Sequence, residues 1–307
     1  MSGSDPASLQ HFAALLRAGE IVAFPTETVY GLGADATTSD AALKIYETKG
    51  RPRFNPLIVH VADLEMARTL VAFSPLAERL ARFWPGPLTL VLPRRSDAKL
   101  SDLVTAGLNT VGIRIPAHPL ALALIRAAGV PLAAPSANPS GKLSPTTAEQ
   151  VRRAFHGKVP VLDGGPSQSG VESTILAVDG DTVTQLRAGA LAREEIESAI
   201  GRKIAVAAEG SAIAAPGMLA SHYAPIAALR LDATSARPGE AYLGFGPGWD
   251  GALNLSPSAD LREAARNLFA MLHQLDALAS KIAVAPIPHH GLGEAINDRL
   301  KRAAAPR

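Results

Sequence analysis

The chain has 307 residues, 47% of them apolar and 19% charged, and its 30 Lys and Arg against 28 Asp and Glu leave a formal charge of +2. So small an excess excludes a basic tail built for nucleic acid, and the absence of cysteine excludes disulfides, thiolate metal sites and a cysteine nucleophile. At about 150 residues per domain the length predicts two unequal domains, and no apolar run approaches the ~20 residues of a membrane helix. Met1 to Pro6 carries no basic-then-apolar signal pattern, so a soluble, cytoplasmic protein is expected.

Asp5-Pro6 opens a helix with Leu9, Phe12, Ala13 and Leu16 on one face and Gly19 at its end. Ile21 to Phe24 reads as a buried strand. It runs into Pro25-Thr-Glu-Thr-Val-Tyr-Gly-Leu-Gly33, whose hydroxyls and glycines form either an ordinary turn or a ligand loop. Ser39-Asp40 caps a second helix with Ala42, Ile45 and Tyr46 inward, closed by Lys49 and broken by Gly50. Arg51, Pro52, Arg53, Asn55 and Pro56 follow before the strand Leu57 to Val61, which contains His60. Each proline fixes its own φ and biases its predecessor toward extended backbone, so Lys49 to His60 forms a semi-rigid arm with its cations pre-placed. Such an arm is an anion site or a basic helix end stabilised by the helix dipole.

Asp63 and Ser74-Pro75 begin two short helices, and Trp84-Pro-Gly-Pro87 precedes the strand Leu88 to Leu92. The strand Thr110 to Ile115 carries Thr110, Gly112 and Arg114 on its less oily face, where Arg114 either clamps a carboxylate or is simply solvated. After the helix Leu120 to Ala128, Val130 to Gly141 is a strand that unravels into hydroxyls, an amide and prolines. Ser144-Pro145 and a capping box from Thr146 to Glu149 begin the next helix, whose free amides could take a phosphate near Ser144 or merely cap. Val159 to Leu162 and Ser173 to Leu176 read as strands, the second meeting Gln185-Leu-Arg187 across Asp179-Gly-Asp181. Leu191 to Ile200 closes this part as a helix.

From Lys203 to Ala228 periodicity is lost, which predicts a linker. Strands near Leu229, Tyr242 to Phe245 and Ile282 to Ala285, with helices Ala259 to Leu278 and Leu292 to Arg302, imply a small parallel sheet that is Rossmann-like in wiring only. Gly246 to Gly251 has dinucleotide-fingerprint spacing, but Pro247 intrudes and no helix opens after it. There is no Walker A loop. Ser96 to Lys99 with Ser136 to Asn138 lacks the Lys-Thr-Gly that penicillin-recognising enzymes need, and His289-His290 lack partners at metal-ligand spacing.

In order, Pro25 to Gly33, Lys49-Gly-Arg51, Asn55-Pro-Leu57, Trp84 to Thr89, Arg114-Ile-Pro116, Pro135-Ser-Ala-Asn138-Pro-Ser-Gly141 and Ser173-Thr-Ile175 closely resemble the YrdC-like threonylcarbamoyl-AMP synthases. Pro216 to Pro225 and Gly291 to Arg299 resemble the linker and C-terminal domain of the two-domain members. The resemblance implies a twisted α/β catalytic domain with a concave basic surface over residues 1–202, a linker or lid over 203–228, and a small Rossmann-like α/β domain over 229–307. It also implies synthesis of L-threonylcarbamoyl-adenylate and pyrophosphate from L-threonine, bicarbonate and ATP, with Mg²⁺ accompanying ATP and no protein-built metal site. The product would pass to a separate transferase complex that modifies the tRNA adenosine beside the anticodon.

By the same resemblance Lys49, Arg51, Asn55, Thr110, Ser136, Ser144, Arg187 and the linker's Tyr223 belong to ATP, with Lys49 and Arg51 also catalytic. Thr28, His60, Arg114, the backbone of Ala134 and Ser173 belong to L-threonine. These residue types suit the chemistry, because cations must meet charge developing on the leaving pyrophosphate and the α-phosphate. A pocket that hydrogen-bonds a hydroxyl also rejects valine better than shape alone can. Two other readings compete: a confined basic face that binds RNA weakly, and a hydrogenase-maturation carbamoyltransferase domain, against which the lack of cysteine-rich zinc segments counts.

Overall fold

The computed structural model describes residues 5–208, 210–211, 214–217, 222–249 and 253–306. Met1 to Ser4, Met218 to Ser221 of the linker motif, and Asp250 and Gly251 of the fingerprint-like spacing lie outside the described residues. Asp5 caps α1 (Pro6–Arg17) by accepting from the Ala7 amide, and β1 (Val22–Phe24) and β2 (Gly31–Asp35) pair antiparallel. α2 (Ser39–Lys49) ends at Gly50, whose φ of 59° is the left-handed cap that glycine adopts without a Cβ penalty. Ser39 is not the cap: Thr38 holds that place, and the Ser39 hydroxyl is spent on Ser101, 2.9 Å away.

β3 (Ile58–His60), α3 (Leu64–Leu70) capped by Asp63, α4 (Pro75–Leu80) capped by Ser74, and β4 (Leu88–Pro93) follow. Then come α5 (Asp102–Thr105), β5 (Thr110–Arg114), α6 (Pro119–Ala128), β6 (Leu132–Ala133), α7 (Ala148–Ala154), β7 (Thr174–Asp179), β8 (Thr182–Arg187), α8 (Arg193–Ile200) and β9 (Ala205–Val206). The strands make one mixed sheet in the order β1-β2-β6-β3-β5-β4-β7-β8-β9. Val159 to Leu162 is not a strand of it: Pro160 has no amide to donate, and the segment touches the sheet through a bridge between Val161 and Ala23. The α7 capping box lies one residue beyond the expected place, with Thr147 and Gln150 as its members.

The second sheet contains β10 (Ala228–Arg230), β11 (Ala241–Gly244), β12 (Leu253–Asn254) and β13 (Lys281–Val284), all parallel in the order β10-β13-β11-β12. α9 (Leu261–Asp276) and α10 (Leu292–Ala304) complete this unit, each with one apolar face. Its core is continuous with the first domain: Val29, Leu143, Val171 and Ala192 share a buried cluster with Leu268, Phe269, Ile296 and Leu300, and Tyr223 joins them from the linker. The second domain therefore packs against the loops that carry the site.

Candidate active site

The cleft of the first domain gathers chain from eight places, and its empty space, counted together with the open solvent at its mouth, is about 510 Å³. Thr28 comes from the loop after β1, His60 from β3, Arg114 from the end of β5, Ala134 and Ser136 from the segment that leaves β6, Ser173 from the start of β7, and Arg187 from the end of β8. Arg51 of the arm and Tyr223 of the linker complete its lining. The register of the parallel pair β3 and β5 sets His60 against Arg114, which is what brings two residues 54 positions apart to one wall.

Arg114 is 3% exposed, so it is no solvated arginine on an open face. Its Nη1 donates to Thr28 Oγ1 at 3.0 Å and its Nε to the Gly86 carbonyl at 3.2 Å. Glu27 Oε1 lies 2.6 Å from Arg114 Nη2, a buried ion pair that is out of line for a hydrogen bond. His60 Nδ1 has no hydrogen-bond partner. Burial, and then the charge of Arg114, push the imidazole down to about 3, so it faces the cleft neutral. A buried guanidinium, a neutral imidazole and a threonine hydroxyl together match a carboxylate beside a hydroxyl or an amine.

Arg51 and Arg187 make the other wall cationic. Lys49, outside the lining, is buried at the end of α2 and donates to the carbonyls of Ser136, at 2.6 Å, and Asn138. Burial, reinforced by Arg51, lowers its pKa well below that of a free lysine. Arg51 donates to the carbonyls of Asn55 and Pro56, and burial lowers it to about 10, which leaves it charged. Arg187 donates from Nε and Nη2 to the Ser173 carbonyl at 3.1 and 2.9 Å, and from Nη2 to Ser173 Oγ at 3.2 Å. The Ser173 hydroxyl also lies 2.8 Å from that of Thr89. These three cations spend their donors on backbone carbonyls here, a reserve that an anion with several oxygens can draw on.

Asn55 is 1% exposed with neither side-chain atom paired, the state of an amide awaiting a partner. Ser144 is fully buried and donates to Glu172 Oε1 at 2.5 Å. It does not present free helix amides, because Gln150 Oε1 takes the amides of Thr146 and Thr147 while Thr147 Oγ1 takes that of Gln150. Asn55, Ser144 and Thr110, the last half-buried at the start of β5, all stand outside the lining.

The sequence reading did not single out Glu172, Glu27, His222 or Arg299. Glu172 lines the cleft, the His222 ring packs at a tilt of 55° against Tyr223 with centres 4.1 Å apart, and the Arg299 guanidinium lies 5.1 Å from the Tyr223 ring centre. Arg299 did leave a signal, as a charge within the apolar stripe of a helix. Among the described residues no three His, Asp or Glu side chains gather at metal-binding distance, and no helix is long and apolar enough to cross a membrane.

Comparison with known proteins bears on the whole chain. Residues 14–189 match the Sua5, YciO and YrdC family model described as telomere recombination, and residues 191–305 match the model of the threonylcarbamoyl-AMP synthase C-terminal domain. The chain is 52% identical over 237 residues to the threonylcarbamoyl-AMP synthase of Bacillus subtilis, which covers 75% of this chain and 68% of that one. It is 42% identical over 319 residues to the Pyrococcus abyssi threonylcarbamoyl-AMP synthase, covering 96% and 93%. The crystal structure of P. abyssi Sua5 complexed with L-threonine superposes with a TM-score of 0.89 at 40% identity, over 98% of this chain and 95% of that chain.

Proposed function

The chain belongs to the two-domain threonylcarbamoyl-AMP synthases of the tRNA threonylcarbamoyladenosine pathway, and from that premise we propose how its cleft divides the substrates. L-threonine sits on the wall of Thr28, His60, Arg114, Ala134 and Ser173, with its carboxylate on Arg114. ATP sits against Lys49, Arg51, Asn55, Ser136, Ser144 and Arg187 under Tyr223. Thr110 is the nucleotide assignment with the least geometric support. The observation that carries the division is Ser173, whose hydroxyl lies 3.2 Å from Arg187 Nη2 while the hydroxyl of Thr28 lies 3.0 Å from Arg114. Two polar sets meet there at one seam.

At that seam the threonine amine takes up bicarbonate, losing water, and the resulting carbamate oxygen attacks the α-phosphorus of ATP. A new P–O bond forms to the carbamate, the bond to the β-phosphate bridge breaks, and pyrophosphate leaves with the electron pair. The neutral His60 accepts from the threonine hydroxyl or amine without repelling a cation, and Lys49, Arg51 and Arg187 stabilise charge on the departing pyrophosphate. Positioning supplies most of the acceleration, with no covalent nucleophile from the protein. Mg²⁺ accompanies ATP. The cleft lining offers it one carboxylate, Glu172, already committed to Ser144 and Arg299, so phosphate oxygens and water hold the ion.

Residues 1–202 form the catalytic domain, 203–228 the linker that lies over the cleft, and 229–307 the smaller domain. The unstable adenylate passes to a tRNA-modifying transferase complex in the cytoplasm. The deciding experiment is incorporation of labelled bicarbonate into an adenylate by the purified protein with Mg-ATP, comparing L-threonine with serine, valine and no amino acid. Product with threonine in step with pyrophosphate release is expected. Equal product with valine would remove the hydroxyl-reading wall from the proposal.

A further inference from the structure

α10 buries Leu292, Ala295, Ile296, Leu300 and Ala303 in the core of the second domain, and Arg299 stands in the same stripe at 0% exposure. A core position filled by arginine calls for a specific partner. Arg299 Nε donates to Glu172 Oε2 at 2.8 Å, and Nη1 donates to the Ala188 carbonyl at 2.8 Å and to Asp298 Oδ2 at 2.7 Å. Glu172 is a buried carboxylate of the first domain whose other oxygen accepts from Ser144. A chain of contacts therefore runs from the second domain, through Glu172, to a hydroxyl on the nucleotide wall.

The charge of Glu172 is the point of interest. It lines a cleft whose other charged side chains are the cations Arg51, Arg114 and Arg187. Burial works against its charged form, but Arg299 and then Arg187 outweigh that and hold the carboxyl below the usual glutamate range. Left without Arg299, this carboxylate would repel the phosphates and compete with them for Arg187.

We propose that Arg299 is a positioning residue for the nucleotide site: by pairing Glu172 from the second domain it keeps Ser144 aimed and leaves Lys49, Arg51 and Arg187 unopposed toward ATP. The inference rests on the reading of that wall as the ATP side. It gives the second domain a part in the reaction beyond covering apolar surface.

A double-mutant cycle of R299M, E172Q and R299M/E172Q, with ATP and threonine KM measured separately by pyrophosphate release, tests it. R299M is expected to raise the ATP KM by about tenfold or more while the threonine KM moves less than about threefold. Once Glu172 is neutral, loss of Arg299 should matter little, so R299M/E172Q should fall within about threefold of E172Q in ATP KM. That comparison decides even if R299M alone does not fold. A double variant about tenfold worse than E172Q, or one that cannot fold where E172Q does, overturns the proposal, as does an equal rise in threonine KM in R299M. Lys49→Ala, run alongside, separates the premise: an ATP KM indifferent to Lys49 moves the nucleotide elsewhere, whereas dependence on Lys49 without coupling between Arg299 and Glu172 defeats this inference alone.

Discussion

His60 and Arg114 are register partners across β3 and β5, so an imidazole and a guanidinium stand side by side on one wall of the cleft. Burial and that neighbour lower the His60 pKa to about 3. In the unfolded chain the ring takes its proton near the ordinary value of about 6.5. Between these values the unfolded state binds the extra proton, so stability falls as the pH is lowered from 6.5 toward 3 and is fully present above 6.5. At about 1.4 kcal/mol per pKa unit the loss amounts to several kcal/mol. His222, also lowered to about 3 chiefly by burial, adds a second such slope. Urea unfolding midpoints followed from pH 7 to 4 should therefore fall less steeply in His60→Asn than in the native protein. Parallel curves would mean that His60 is protonated in the folded state.

In the proposed division of the cleft, Arg114 separates the two substrates most sharply. A charge-assisted, fork-like contact to a carboxylate is worth about 1.5–3 kcal/mol, so Arg114→Lys should raise the threonine KM by roughly ten- to a hundredfold and leave the ATP KM within about twofold. Lysine is the better probe than alanine, which would strand Glu27 as a buried carboxylate at a cost of about 3–5 kcal/mol in stability. Initial rates with each substrate varied in turn make the measurement. Equal effects on both KM values would take Arg114 out of the threonine wall.

Lys49 makes a different prediction. Burial and Arg51 lower its pKa well below that of a free lysine, and a polyphosphate arriving beside it would raise it again. ATP binding should then draw a proton from solution. Calorimetry of ATP binding in buffers of different ionisation enthalpy should give a buffer-dependent heat, and Lys49→Met should abolish that dependence while keeping most of the threonine affinity. A native protein whose binding heat ignores the buffer would show that Lys49 keeps one protonation state throughout.

Much of this site could be read in the sequence because its residues sit in short motifs at strand ends, where a strand's direction fixes what its last side chain meets. Thr28, His60, Arg114, Ser136, Ser173 and Arg187 line the cleft for that reason. Arg299 and Glu172 are 127 residues apart and meet through domain packing, which no local pattern encodes. Each nonetheless left a mark, an arginine in an apolar helical stripe and an acid just before a buried strand. The helix after Ser144 shows the opposite failure. Thr146 to Glu149 and Thr147 to Gln150 both fit a capping box, and only the folded backbone chooses between them.

Tyr223 carries the last prediction. It is 1% exposed, and its φ of 59° places a bulky residue in the left-handed region, at a cost of about 1–2 kcal/mol. Contacts hold it there: His222 at 4.1 Å and Phe269 at 5.7 Å between ring centres, Arg299 over its face, and the neighbouring Ala224 amide on the Gly141 carbonyl at 2.7 Å. Pro216 and Gly217 lie against Arg187, where a Cβ on Gly217 would stand 2.7 Å from Arg187 Cδ, so only glycine lets the linker approach so closely. If this segment acts as a lid, strain at its anchor lets it open at modest cost, and its closure keeps water from the carbamate and the adenylate. Tyr223→Ala should raise the pyrophosphate released per labelled adenylate recovered by severalfold, because intermediates are lost to hydrolysis. Tyr223→Phe, which keeps the ring, should hold that ratio near the native value. A ratio unchanged in Tyr223→Ala would leave the linker as a tether with no part in shielding the reaction.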